Sequence, residues 1–186
     1  MYAINLFEVG LTIIVIYSIY DFIKNKDKDL KNRLIIISFW IYFCYSVQEI
    51  FGHINVPPRL SYYNVQLAPF LYIKYILSKM DFISRIIDSS WIFLTIKDLL
   101  KTFLLTFPLG VYIQLIFDIK HFKRGLIVIA STSLILEGLE FMFAYTGVID
   151  SGIFQTDVII LYTLGGIAGF YFYRFYLKMV RVVQTR

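Results

Sequence analysis

The sequence predicts an all-α integral membrane protein with about five transmembrane helices, plus an amphipathic interfacial or re-entrant segment near residues 69–94. Three observations carry this reading. The 186-residue chain is 59% hydrophobic and only 17% charged, with 18 Phe and 15 Tyr, and its mean hydropathy is +0.70. A soluble domain of this size has too much surface to carry such a composition. The apolar residues gather in long runs with clustered charges between them, each run long enough to cross a hydrocarbon core of about 30 Å.

Taken in order, INLFEVGLTIIVIYSIYDFI (4–23) is the first span, with Glu8 near one end and Asp21 near the other. The opening MYAINLFEVG has no basic n-region and no small-residue cleavage site nearby, so insertion is expected through this span itself. KNKDKDLKNR (24–33) holds five basic and two acidic residues and reads as a loop. LIIISFWIYFCYSVQEIFG (34–52) is the second span, ending in Gln48 and Glu49. In HINVPPRLSYYNV the paired prolines break regular structure, since each fixes φ and removes a donor.

Within 69–94, Lys74, Lys79, Asp81, Arg85 and Asp88 interrupt an apolar background. A span would place all of them in lipid, whereas an interfacial or re-entrant helix keeps its polar side wet. LLKTFLLTFPLGVYIQLIFDI (99–119) is the third span. Pro108 and Gly110 interrupt it, which membrane helices tolerate when neighbours satisfy the freed carbonyl. LIVIASTSLILEGLEFMFAYTGV (126–148) and DVIILYTLGGIAGFYFYRFYL (157–177) are the fourth and fifth spans, joined by a polar connector and followed by the basic tail KMVRVVQTR.

The net charge is +5, and the bases flank the spans. Membrane orientation and anionic head groups therefore account for it better than nucleic acid does. The 24–33 loop, the 120–124 loop and the C-terminal tail are all basic and fall on one side of five spans. That side is expected to be cytoplasmic, which places the N-terminus outside. The outer segment also carries Arg59, Lys74, Lys79 and Arg85. Cys44 stands alone in an apolar run and reads as a small buried apolar residue.

Glu137 and Glu140 lie at i and i+3 in the fourth span and share a helix face. Acids at this depth usually face a protein interior or a wet cavity. They are either a structural pair bonded to a neighbouring helix, or a polar site for a head group, a cation or a proton. Asp157 opens the fifth span, where the helix dipole alone favours an acid. Glu8, Glu49 and Asp157 fall at outward ends of their spans, with Arg59, Lys97 and Lys101 at similar depth. A metal is not expected, because His53 and His121 lie on opposite sides and neither has a second ligand at binding spacing. Ser131, Thr132 and Ser133 lie near Glu137 without a His base, which argues against a nucleophilic enzyme. A carboxylate-only acid/base mechanism stays open. Gly165 and Gly169 have GxxxG spacing and read as close helix packing rather than as a phosphate loop.

Four motifs, in order, resemble the VanZ-like family of small bacterial membrane proteins over residues 66–174. QLAPF (66–70) is similar to an NLIPF-type element, with Gln66 in the Asn place and Pro69 kept. KTFLLTFPLG (101–110) is similar to GNILLFIPLG, keeping Phe107, Pro108, Leu109 and Gly110 but carrying Lys101 and Thr102 for Gly-Asn. LEGLE resembles IELLQ, with Glu137 keeping the acid and Glu140 replacing the Gln. QTDVIILYTLGGIAGF resembles DIDDLILNTLGGLIGY, matching at Asp157, Thr163, Leu164, Gly165, Gly166 and Gly169 and departing at Gln155, Val158 and Tyr162.

The resemblance implies a cytoplasmic-membrane protein of the type associated with resistance to teicoplanin, a glycopeptide with a lipid tail. The expected function is recognition of an amphiphile, either a lipoglycopeptide or a lipid-linked cell-wall precursor, at an outward-facing intramembrane polar site. The candidate ligand-binding residues are Glu137, Glu140, Asp157, Glu49, Gln66 and Lys101. Pro69, Pro108, Gly110, Gly165, Gly166 and Gly169 form the expected structural set. Expected partners are membrane lipids and a protein in the membrane; no cofactor and no nucleic acid are expected. Two other readings stand beside this one: an intramembrane enzyme using Glu137 and Glu140 as acid and base, and a structural subunit whose acids only make interhelical hydrogen bonds.

Overall fold

The computed structural model describes residues 2–24, 30–71, 74, 90–117, 119 and 121–184. In chain order the elements are β1 (Tyr2–Asn5), α1 (Leu6–Lys24), α2 (Leu30–Phe51), β2 (His53–Val56), β3 (Tyr62–Gln66), α3 (Ser90–Phe117), α4 (Phe122–Tyr145), β4 (Ser151–Gln155) and α5 (Thr156–Gln184). All five helices are long and apolar enough to cross a membrane. The chain is a multi-pass, all-α membrane protein, as its apolar runs imply. Short strands form two small sheets, β1 with β2 and β3 with β4, in the connecting segments. The stretch around the paired prolines is therefore partly extended rather than irregular, with Pro57 and Pro58 separating β2 from β3. Of the segment expected to be interfacial or re-entrant, residues 72, 73 and 75–89 lie outside the described residues, and residues 90–94 belong to α3.

Two helix ends differ from the sequence expectation for identifiable reasons. α4 stops at Tyr145 rather than running through Val148. Gly147 adopts φ 76°, its N–H donates to Ala144 O, and the Val148 N–H donates to Phe143 O. This pair of bonds is a Schellman cap, which needs a residue in the left-handed region where a glycine sits without strain. α5 runs past residue 177 to Gln184. No Gly or Pro ends it there, and its late bases complement the negative end of the helix dipole.

The chain divides into two compact units, Met1–Asn64 with Gly138–Ile153, and Val65–Glu137 with Phe154–Arg186. In the first unit α1 and α2 form an antiparallel pair. Near one end, Gln48 Oε1 accepts the Phe7 N–H at 3.2 Å; near the other, Arg33 and Asp21 form an ion pair at 3.0 Å. Between them Gly10 lets the backbone approach Cys44. The β1–β2 ladder, Tyr2↔Val56 to Asn5↔His53, closes the same unit. Its core is Phe51, Ala144 and Ile149, beside which the buried Asn55 donates to Asp150 Oδ1 at 2.7 Å. α1 buries only Ile14, and Ile13 and Ile23 are 61% and 69% exposed, as befits a helix whose other faces meet lipid.

In the second unit α3 and α5 run parallel in close register. Thr106, Gly110 and Gln114 on α3 meet Tyr162, Gly166 and Phe170 on α5, so the register repeats every four residues. Thr106 Oγ1 donates to Tyr162 O at 2.7 Å, and Gln114 Nε2 donates to Phe170 O. The glycines meet backbone: a Cβ on Gly165 would strike Phe103 O, one on Gly169 would strike Phe107 O, and one on Gly110 would strike Gly166 O. α4 runs antiparallel to α5, with Gly125 against the Phe170 ring and Gly166 against Ile129. Ile113, Ile129 and Phe170 form the core where the three helices meet.

Gly169→Leu is expected to lower the thermal midpoint in detergent, since forcing side-chain atoms into a filled contact costs about 1–3 kcal/mol. Gly138, also helical, has open space around its Cα, so Gly138→Ala should leave the midpoint unchanged or raise it, the substitution stabilising a helix by up to about 1 kcal/mol. Equal shifts in the two variants would refute the α3–α5 backbone contact.

Candidate functional site

The polar groups of the second unit gather at the start of α5. β4 delivers the chain to Thr156, and Asp157 follows in the first turn. A Thr-Asp pair before an apolar run is a helix-start signature, because the hydroxyl and the carboxylate satisfy donors that the first turn leaves open. Here both side chains reach away from their own helix. Thr156 Oγ1 donates to Leu67 O at 3.1 Å, and Asp157 Oδ1 accepts the Phe70 N–H. The segment from Leu67 to Phe70 is thereby pinned to the helix start. Phe70 has φ 63°, a left-handed conformation that costs a non-glycine residue about 1–2 kcal/mol. The bond to a carboxylate, worth about 1.5–3 kcal/mol, offsets that strain.

Glu137 reaches the same place from α4. Because α4 runs antiparallel to α5, the residue twelve positions after Gly125 arrives at the α5 N-terminus, where Glu137 Oε1 accepts the Gln155 N–H at 2.7 Å. The Glu137 side chain is 1% exposed and Asp157 is 8% exposed. Two buried carboxylates thus bracket the positive end of the α5 dipole, a placement the dipole favours. One Glu137 oxygen is left over. Oε2 is buried and has no hydrogen-bond partner among the described residues, and the same holds for the side-chain oxygen of Gln155. A buried acceptor without a donor costs about 1–3 kcal/mol, and such atoms are uncommon enough to require an explanation.

The other residues singled out from the sequence are distributed as follows. Gln66 is half-buried at the end of β3, and Pro69 is exposed in the turn before Phe70. Lys101 is exposed on α3. Glu49, at the end of α2, and Glu140, one turn beyond Glu137 on α4, are half-buried and belong to the first unit. Ser133 is fully buried one turn before Glu137, and its hydroxyl donates to Ile129 O of its own helix at 2.9 Å. Thr132 likewise donates to Val128 O. These hydroxyls serve their own backbone. Among the described residues no three His, Cys, Asp or Glu side chains converge to hold a metal ion.

Sequence reasoning missed Gln155, Thr156 and Phe70 as members of this cluster. Gln155 and Phe70 take part through backbone N–H groups, which every residue type except proline carries, so no side-chain pattern marks them. Thr156 carried a usable signal in its position before Asp157.

Asp157→Ala is expected to speed amide hydrogen exchange at Phe70 by ~10–100-fold, the equivalent of losing a hydrogen bond to a charged group. Asp157→Asn keeps an acceptor and should change it far less. Unchanged exchange in the alanine variant would mean that the carboxylate does not hold the turn.

A family model described as VanZ/LLP1 matches residues 33–178. Among curated proteins and among solved structures no match was found. The matched residues run from α2 into the last turns of α5 and include Glu137, Asp157 and the glycines of the α3–α5 contact, and the chain belongs to the VanZ/LLP1 family.

Proposed function

We propose that the protein binds an amphiphile in the bacterial cytoplasmic membrane, holding a donor group of its head at Glu137 while its lipid tail stays in the bilayer. A lipoglycopeptide of the teicoplanin type or a lipid-linked cell-wall precursor has this chemistry, and lowered sensitivity to teicoplanin is the expected consequence of expression. The observation that carries the reading is Glu137 itself. It lies in a membrane helix and is 1% exposed, with one oxygen committed to Gln155 and the other without a donor among the described residues. A ligand N–H or O–H would satisfy that oxygen, and the low dielectric of the site would strengthen the bond. The side-chain oxygen of Gln155, which has no partner among the described residues, supports a ligand that presents more than one donor.

In the proposed orientation the N-terminus is outside and the C-terminus cytoplasmic. The bases Lys123 and Arg124 at the start of α4, and Lys178 and Arg181 near the end of α5, support it. The α5 N-terminus then faces outward, the side from which an extracellular lipoglycopeptide or an exported precursor arrives.

The test is drug sensitivity in a susceptible Gram-positive host expressing the chain, with wild type and Glu137→Gln at matched membrane levels. Wild type should protect against teicoplanin and not against vancomycin, which lacks the lipid tail. Glu137→Gln preserves the shape and an acceptor for Gln155 but removes the charge. It should weaken binding of the lipid-tailed drug to the purified protein by ~10-fold or more, as loss of a charge-assisted hydrogen bond implies, and abolish protection. Equal protection by the variant would sink the assignment of Glu137.

A further inference from the structure

In the first unit, residues 57–61 connect β2 to β3, and Leu60 within them is wholly exposed, at 106%. Pro57, Pro58, Arg59, Tyr62 and Tyr63 are exposed around it. The backbone here is tied at several points to the C-terminal end of α4. The Asn55 N–H donates to Val148 O at 2.8 Å, the Arg59 N–H to Gly147 O at 2.9 Å and the Tyr62 N–H to Asp150 O at 3.1 Å. Ser61 Oγ donates to Ala144 O. Gly147 approaches so closely that a Cβ on it would strike Arg59 O. Leu60 stands between the ties of Arg59 and Ser61, so the fold holds it in a set place.

Those ties also fix its depth. α4 has 24 residues, about 36 Å of helix against a hydrocarbon core of about 30 Å, so its end reaches the head-group layer. Ala144 and Gly147 flank that end, and Leu60 is level with them. Tyr63 goes deeper. Its ring packs edge-on against Tyr145 at 5.3 Å and Phe141 at 6.2 Å, and Phe141 lies about 6 Å inside the helix end. The β1–β2 ladder carries the chain beyond the ends of α1 and α2, and residues 57–63 bring it back to the level of the bilayer. A leucine held wholly in water forgoes the gain of burial. At this depth its surroundings are head groups and the first methylenes of acyl chains, which reward the same exposure. Arg59, Tyr62 and Tyr63 each join an apolar body to a polar tip, the chemistry this layer favours.

We propose that residues 57–63 form an interfacial anchor that inserts Leu60 into the leaflet at the C-terminal end of α4. The surface they present is covered by lipid, and the ties to α4 set how deep it sits. Nothing in this assignment depends on the role proposed for Glu137.

Collision-accessibility electron paramagnetic resonance tests it, on the full-length protein in vesicles of phosphatidylcholine and phosphatidylglycerol. Cys44 is the one cysteine of the chain, so Cys44→Ala, or Cys44→Ser should that variant not fold, lets a nitroxide on Leu60→Cys report a single place. Ile16→Cys, at an exposed position on α1, supplies the lipid reference. The label at residue 60 should collide more often with oxygen, which concentrates in hydrocarbon, than with a water-soluble nickel chelate, as the label at residue 16 does. Gly147→Ala places a methyl against Arg59 O and should raise nickel access at residue 60. Ser61→Ala removes one tie and should raise it less; it decides the point if Gly147→Ala fails to fold. Nickel access at residue 60 equal to that of a nitroxide free in water would overturn the proposal. Shielding from both reagents would assign Leu60 to a protein contact and overturn it equally. Unchanged nickel access in both tie variants would refute the role of α4 in setting the depth.

Discussion

The backbone contact between α3 and α5 is the constraint on which the rest of the second unit depends. In a bilayer, burying apolar side chains against each other gains little over leaving them in lipid, so helices associate through close packing and interhelical hydrogen bonds. This pair uses both. Gly165, Gly169 and Gly110 place backbone against backbone, while Thr106 and Gln114 donate to carbonyls of α5 two turns apart. The two devices share one register, because a shift by a single residue would bring a Cβ onto a carbonyl and move both donors off their acceptors. Pro108 sits in the same stretch of α3, where its missing N–H frees the carbonyl of Leu104 one turn back.

That register determines what stands at each end of α5. At its start, Asp157 holds the Phe70 N–H and Glu137 holds the Gln155 N–H. At its end, Arg174, Lys178 and Arg181 line a recess beside Gln114. Acids at the positive end of the helix and bases at the negative end complement its dipole, so a purely structural reading explains the sign of every one of these charges. It does not explain the leftover Glu137 oxygen, which is buried without a donor among the described residues. The proposed function rests on that oxygen, which α4 brings to the start of α5.

The carboxylates also show how a structural and a binding role coexist in one side chain. A carboxylate has two oxygens and about four acceptor positions. Glu137 uses one oxygen to orient the backbone at the helix start and so fixes where the other points. A carboxylate held this way needs no reorganisation on meeting a donor, and pre-organisation of this kind is what a polar site in a low-dielectric region requires.

Much of this was legible in the residues alone. Five apolar runs of spanning length dictated five membrane helices, since a chain in lipid must satisfy its backbone internally. The small residues Gly165 and Gly169 marked a helix contact, Glu137 and Glu140 stood out because acids are expensive at that depth, and Asp157 stood at a helix start where the dipole favours an acid. Only the tertiary structure decided which helix the glycines meet, that α3 and α5 lie parallel and α4 opposes them, and that the second partner in both carboxylate contacts is a backbone amide. Helix periodicity states which residues share a face but not what that face touches. Backbone donors have no signature in sequence, and neither does the recess beside Arg174 and Lys178, which exists only once two helices pack.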